Sequence, residues 1–253
     1  MPLEIVTVPC LSDNYAFLLH NRATGRTALV DAPEAEPIAA ALAARGWRLT
    51  DILITHHHGD HVEGIAALRA GARVIGAAAD SHRLPPLDLA VAPGDRVEVC
   101  GETVEVIDAP GHTVGHVAYH FPQTGAVMTG DSLMALGCGR LFEGTAAQMW
   151  GTLTRLAGLP PETLVCSGHE YADANGRFAV TVDGANPALA ARRQAISALR
   201  KAGIPTVPVE LAVELQTNPF LRADDPALRA AMGLPEAPAE KVFAAIRAAK
   251  DTF

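Results

Sequence analysis

Long apolar runs are missing from this chain. Nowhere do roughly 18 consecutive uncharged apolar residues occur, the length a membrane-spanning helix needs, so no membrane partner is expected. An excess of positive charge is missing too. The formal net charge is −8, whereas a general nucleic-acid binder is usually basic, so nucleic acid is not an expected partner. An anionic ligand would have to be recruited by a local basic cluster or a metal. Cysteine is scarce: Cys10, Cys100, Cys138 and Cys166 are scattered and form no C-x-x-C pair. That argues against a thiolate metal site or a disulfide framework and predicts buried free thiols in a reducing compartment. Neither a P-loop nor a G-x-G-x-x-G opening a helix occurs, and G-C-G-R at 137–140 is too weak to cradle phosphate. The opening Met-Pro-Leu-Glu-Ile-Val-Thr-Val is too short and too acidic for a signal peptide, which makes the cytoplasm the expected location.

What is present is a foldable chain of 253 residues, 49% hydrophobic and 19% charged, long for one domain and comfortable for two. Strands are predicted at 3–8, 15–19, 27–30, 51–54, 73–75, 96–99, 104–107, 117–121, 126–128 and 163–166, from short β-rich runs between turn signals. Helices are predicted at 36–45, ended by Gly46, at 62–70, stopped by Gly71, and at 146–156. This mixture indicates an α/β domain over residues 1–172. Beyond it no run of strands is expected, and helices at 187–202, 226–231 and 239–250 predict a small helical domain over 173–253.

Ten histidines occur in the chain, yet three stand consecutively at 56–58 and a fourth at 61. The T-H-H-H-G-D-H segment at 55–61 follows the apolar strand 51–54 directly. Residues i and i+2 of an extended chain face one side, so His56 and His58 can address one ion while His57 points away. Gly59 permits a tight bend, and Asp60 and His61 follow at the mouth of the next helix, where they can face a second ion. Imidazoles and a carboxylate suit zinc, iron or manganese. His112, Asp131 and His169 each follow a glycine where a predicted strand passes into a loop. Any one of them alone reads as a solvated loop residue; together they read as further ligands.

T-H-H-H-G-D-H, followed by G-H-T, G-D-S and G-H-E-Y, resembles the metallo-β-lactamase superfamily over roughly residues 3–172. Within it the chain looks most like the glyoxalase II enzymes, the hydroxyacylglutathione hydrolases, because T-N-P-F-L-R at 217–222 and R-A-A-K-D-T-F at 247–253 are similar to motifs of that family. The resemblance implies an αβ/βα four-layer sandwich with a small C-terminal helical domain. It implies that His56, His58 and His112 bind one metal, that Asp60, His61 and His169 bind the other, and that Asp131 bridges both. Two divalent ions, zinc before iron or manganese, are the implied cofactors. Asp60 and Asp131 are the implied catalytic residues, Asp60 also orienting the attacking water.

The implied reaction is hydrolysis of S-D-lactoylglutathione and related S-(2-hydroxyacyl)glutathiones to glutathione and a 2-hydroxy acid, the second step of methylglyoxal detoxification. Arg140, Phe142, Tyr171, Arg247 and Lys250 match positions that hold the glutathione part; the family often has Tyr where this chain has Phe142. Arg247 and Lys250, three apart on a predicted helix, share a face and would meet carboxylates. A monomer or weak homo-oligomer is expected. The rival readings are a lactonase-like hydrolase of the same fold and a persulfide dioxygenase using one iron. Asp31 is either a turn carboxylate or a support for the site, His57 and His116 are structural or orienting, and Asp13-Asn14-Tyr15, similar to a segment of the family, reads as a turn.

Overall fold

A computed structural model describes residues 2–253, which divide into two compact units. The first takes the chain up to Ala109 together with Gly115–Gly130 and Cys166–His169. Its first sheet holds β1 (Glu4–Cys10), β2 (Asn14–His20), β3 (Thr27–Val30), β4 (Leu49–Leu53), β5 (Arg73–Ala77) and β6 (Leu89–Val91), in that spatial order. The first three are antiparallel and the last four run parallel. Every residue of β2 and β3 is buried, the mark of strands covered on both faces. Leu18, Leu29, Ile52 and Val74 join Ile38 and Leu42 of helix α1 (Ala35–Arg45) in one core cluster. Gly46 closes α1 at φ 67°, where glycine carries no Cβ penalty.

The expected helix at 62–70 is two short ones, α2 (Gly59–Val62) and α3 (Ile65–Leu68). Gly64 lies between them, pressed so closely on the chain that a Cβ would sit 2.9 Å from the Glu34 carbonyl carbon. The chain bends there to meet that backbone, which no local pattern announces.

The second sheet of this unit is built from β7 (Arg96–Val99), β8 (Glu102–Asp108), β9 (Val117–Phe121) and β10 (Ala126–Gly130), with antiparallel pairing from β7 through β10. Gly130 ends β10 at φ 48°, and a Cβ there would lie 2.5 Å from Thr55 Oγ1 and 2.9 Å from His116 Nε2. Only glycine lets the strand end this close to the histidine segment.

The second unit takes Pro110–Val114, Asp131–Val165 and Glu170–Phe253. It begins with a small hairpin, β11 (Leu133–Met134) and β12 (Gly137–Cys138). Helix α4 (Ala146–Ala157) opens with a full capping box between Thr145 and Gln148. Strand β13 (Leu164–Ser167) passes from this unit into the first, and its Leu164 and Val165 pair with β14 (Val209–Glu210). β14, two residues long, is the one strand among the described residues beyond residue 172. Five helices follow β13: α5 (Ala172–Asp183), α6 (Pro187–Lys201), α7 (Leu211–Thr217), α8 (Pro226–Ala231) and α9 (Ala239–Asp251). The Asn186 and Asp225 side chains cap α6 and α8, each ahead of a proline at the first helical position. Phe220 links this core, with its ring centroid 6.0 Å from both Phe178 and Phe243.

α5 and α7 are absent from the sequence reading. Asn175 and Gly176 are weak helix formers in the middle of α5. Gly176 is there for packing, since a Cβ would already touch Leu136 at 3.2 Å and Arg193 at 3.3 Å.

Candidate metal centre

β3 and β4 run parallel, so Asp31 and the segment from Thr55 to His61 emerge side by side at their carboxyl ends. The Asp31 backbone N–H donates to the Leu53 carbonyl at 3.0 Å, which fixes the approach. Asp31 sits at φ 56°, an uncommon conformation for a residue with a side chain. From there its carboxylate accepts from the Thr55 N–H, the Thr55 hydroxyl and His61 Nδ1, each at 2.8 Å.

That arrangement determines protonation. A carboxylate only accepts, so His61 carries its proton on Nδ1 and presents a lone pair at Nε2. The single hydroxyl proton of Thr55 goes to Asp31, so toward His56 Nδ1, 3.0 Å away, Thr55 can only accept. His56 therefore also presents Nε2, which lies 3.1 Å from His58 Nδ1. His169, at the end of β13, has its Nδ1 2.9 Å from the Asp13 carboxylate, so its Nε2 carries a lone pair as well. In the second unit the Arg140 carbonyl, 2.8 Å from His112 Nδ1, does the same for His112. Four imidazoles are thus each anchored on one nitrogen by an oxygen and turned inward on the other, as metal-ligating histidines are.

Within the first unit Asp60, His61 and His169 bring their donor atoms within 4.8 Å of one another. His61 Nε2 and His169 Nε2 stand 3.4 Å apart, and Asp60 Oδ2 is 3.5 Å from the latter. Two facing lone pairs beside a carboxylate repel one another unless a cation lies among them, so these residues fit a divalent metal. Asn14 holds Asp60 by donating from Nδ2 to its Oδ2 at 3.0 Å and to its carbonyl at 3.1 Å. His56 and His61 are buried, and His116 stacks on His56 with ring centroids 4.8 Å apart. His57 points elsewhere, with Nδ1 3.1 Å from Asp80.

In the second unit His112 Nε2 and Asp131 Oδ2 are 3.4 Å apart, and both side chains are buried. The loop around His112 leaves no room for side chains: a Cβ on Gly111 would meet Met149 at 2.7 Å, and one on Gly139 would lie 1.9 Å from the Asp131 carbonyl. Of the seven expected ligands, five therefore belong to the first unit and two to the second.

The residues expected to hold glutathione all lie in the second unit. Arg140 is largely exposed, its Nε 3.6 Å from Asp251. Phe142 is 62% exposed and its ring stands edge-on to His112 at 5.2 Å. Tyr171 is half-exposed at the start of α5. Lys250 stands over the rings of Phe178 and Phe253. Its pKa is held below the ordinary lysine value, first by burial and then by the charges of Arg247, Arg177 and Arg140. Arg247, expected with Lys250 to meet carboxylates, is enclosed by the protein. It is 6% exposed, donates to the Cys138 carbonyl at 3.0 Å and to Asp251 at 2.9 Å, and stacks over Phe220.

The four cysteines are free and buried, as expected. Burial pushes the thiols up, to about 11 for Cys10 and Cys138 and about 12 for Cys100, so they are protonated and not thiolate ligands. Sequence reasoning missed Asp13, Asn14, Thr55 and Asp80 as supports of the site. Asp13 and Asn14 lie in a segment similar to one of the family but were read as a turn, and Thr55 and Asp80 carried no signal beyond position.

Comparisons with known proteins bear on both units. A family model described as the metallo-beta-lactamase superfamily matches residues 13–169, and one described as the hydroxyacylglutathione hydrolase C-terminus matches residues 170–253. The chain is 63% identical over 255 residues to a hydroxyacylglutathione hydrolase of Cereibacter sphaeroides, covering 100% of both chains. It is 61% identical, again over 100% of both, to a hydroxyacylglutathione hydrolase of Fuscovulum blasticum. Among solved structures it is similar to TTHA1623 in a di-iron-bound form, with TM-score 0.61, 25% identity, and coverage of 86% of this chain and 100% of that one. The expected α/β sandwich of the metallo-β-lactamase kind is therefore the fold.

Proposed function

Because the chain belongs to the hydroxyacylglutathione hydrolase family of the metallo-β-lactamase superfamily, we propose that its histidines and aspartates form one two-metal centre at which a glutathione thioester is cleaved. The chain is a thioester hydrolase acting on S-(2-hydroxyacyl)glutathiones. In our reading His56, His58 and His112 hold one ion, Asp60, His61 and His169 the other, and Asp131 both. The observation that carries this reading is the set of four imidazoles whose outer nitrogens are each fixed by an oxygen that can only accept. Zinc is the metal we assign, with iron or manganese compatible with the same donors.

When bound, such a pair of ions lowers the pKa of water and polarises the substrate carbonyl. The protein's own groups supply the rest. Asp60, steadied by Asn14, would orient the attacking water, whose oxygen bonds to the thioester carbon as it gives up a proton; the C–S bond then breaks, and the departing sulfur takes up a proton from solvent. The departing group is a thiolate. A free thiol has a pKa of about 8.5, so it leaves without a strong general acid. Arg140 and Lys250 attract the carboxylates of the glutathione part, Arg247 shapes the site from beneath, and Tyr171 and Phe142 offer ring faces beside it. We assign the region from residue 173 onward to this binding. No helix among the described residues is long and apolar enough to cross a membrane. We place the enzyme in the cytoplasm as a monomer or weak homo-oligomer, with no nucleic-acid partner.

The test is hydrolysis of S-D-lactoylglutathione by purified protein, with elemental analysis of the same sample. Turnover with two metals per chain supports the reading. Turnover undiminished in protein shown to be metal-free would refute the centre, and no turnover by fully loaded protein would refute the substrate.

A further inference from the structure

We propose that Glu214 and Asn218 are positioning residues for the metal centre: they hold the turn between β11 and β12, and through it the segment that presents Asp131 and the Arg140 carbonyl. The inference rests on the reading above that Asp131 and His112 are ligands.

Residues 131–140 begin with Asp131 and end with the carbonyl that anchors His112 Nδ1 at 2.8 Å. Between them the hairpin pairs Leu133 with Cys138 and Met134 with Gly137, and the Gly139 N–H donates to the Ser132 carbonyl at 3.1 Å. So short a hairpin does not support itself. Its turn also keeps Leu136 at φ 56°, which costs energy for a residue with a side chain. Something outside the hairpin has to impose this conformation.

The helical region does so through side chains. The Leu136 N–H donates to Glu214 Oε2 at 3.0 Å. Asn218 Nδ2 donates to the Met134 carbonyl at 3.1 Å and to the Gly137 carbonyl at 3.0 Å. Asn175 donates to the Ala135 carbonyl and Arg247 to the Cys138 carbonyl, both at 3.0 Å. Each residue from Met134 to Cys138 thus has a backbone group bound by a side chain of the helical region. Gly137 is pressed against that region, since a Cβ would lie 2.5 Å from Asn175 Nδ2.

Glu214 and Asn218 form the centre of this clamp. Glu214 is 0% exposed, is paired with Arg192 of α6, and accepts from Asn218 Nδ2 at 3.0 Å. Asn218 Oδ1 accepts the Phe220 N–H at 3.0 Å, which fixes which end of the amide faces the hairpin. Replacing a buried ion pair by apolar side chains is often neutral or stabilising, so stability alone does not account for this one. What the pair provides is a defined turn. Gly139 packs directly on the Asp131 carbonyl, so a shift of the hairpin carries to Asp131 and to the anchor of His112 together. The Asn of the T-N-P-F-L-R motif thereby acts on the metal centre, apart from any contact with glutathione.

The test compares wild type, Asn218→Ala, Glu214→Gln and, as a control, Asp225→Ala. The Asp225 side chain caps α8, bonding Arg222, the Ala227 N–H and the Leu228 N–H, so its loss weakens the same unit without touching the hairpin. Metal retention against a competing chelator, thermal melting, and kcat and KM for S-D-lactoylglutathione are measured on each. Asn218→Ala and Glu214→Gln are expected to release metal at chelator concentrations about 10-fold lower than wild type, and to lose about 10-fold in kcat with KM within about 2-fold. Asp225→Ala is expected to melt earlier with metal retention unchanged. Where Glu214→Gln fails to fold because Arg192 lacks its counter-charge, Asn218→Ala decides. Folded variants that keep metal as wild type does, or that move only KM, overturn the proposal. Failure of the wild type to hydrolyse the thioester is a separate result that tests the substrate and leaves the metal-retention comparison intact.

Discussion

In the first unit His56, His61 and His169 are buried, and each has one ring nitrogen fixed by an oxygen acceptor. In the second, Arg140 stands largely in solvent and Lys250 lies over two phenylalanine rings amid other cations. The difference follows from what each set must do. A metal ligand has to be placed to a few tenths of an ångström in one tautomer, so its supports are short, directional and buried. A cation that attracts a flexible carboxylate works through its field over several ångströms and tolerates motion. Substitutions should therefore behave in opposite ways in the two sets, with steep losses of metal and kcat among the ligands and their supports and shallow changes of KM among the cations.

The largest effect is expected from removing a donor. Asp131→Ala and His61→Ala should each lower kcat/KM by roughly 1,000-fold or more, since several kcal/mol of charge stabilisation depends on the metals. Elemental analysis should find less than the full metal complement in both. A variant that keeps two metals and near-normal turnover would break the comparison at its root.

Next comes the support behind the donors. Asp31→Asn places an amide N–H₂ either where one oxygen now receives both the Thr55 hydroxyl and His61 Nδ1 or where the other receives the Thr55 N–H, so an acceptor is lost in either orientation. We expect metal affinity to fall about 10- to 100-fold, read by chelator competition. Asp13 supports His169 alone and is more exposed, with 37% of its side chain accessible. Asp13→Asn should lose less. Equal losses from the two would show that a carboxylate serving His61 directly and His56 through Thr55 carries no added weight.

Much of this contrast was legible in the sequence. The strand leading into T-H-H-H-G-D-H, and the glycines before His112, Asp131 and His169, expose ligands as a cluster against background. Asp13 and Thr55 were hidden because a single polar residue at a turn or strand end looks the same whether it anchors an imidazole or faces water. The split of the 62–70 helix at Gly64 and the presence of α5 around Asn175 and Gly176 were hidden for another reason. Both are settled by close backbone packing against distant segments, which outweighs local propensity. The cationic set needed the family resemblance. Even then the depth of Arg247 was not visible, since periodicity placed it on the same face as Lys250 without saying which lies beneath.

Among the cations the expected changes are smaller. Lys250→Met should raise KM for S-D-lactoylglutathione by about 5- to 10-fold, the worth of one charge-assisted contact, with metal content and kcat unchanged. Arg247→Met should also lower the melting temperature, because the Cys138 carbonyl and Asp251 lose a buried donor. The Lys250 pKa adds a pH signature. Burial and neighbouring cations lower it from 10.5. The charged form, which exists below the pKa, is the one that attracts a carboxylate. KM should therefore begin to rise with pH below the range of an ordinary lysine, and Lys250→Met should abolish that rise. An identical rise in both would assign it to another group.

The smallest effect is expected at Phe142, where the family often has tyrosine. Its ring is exposed and edge-on to His112, so a phenolic hydroxyl would enter open space without displacing a neighbour. The hydroxyl is gained in water, where a new hydrogen bond to a ligand contributes a net of about 1 kcal/mol at most. Phe142→Tyr should lower KM by no more than about 5-fold and leave metal retention and melting unchanged. A larger drop would mean that the ligand shields this position from solvent when bound. A change in metal retention would tie the ring to His112, moving Phe142 from the tolerant set to the directional one.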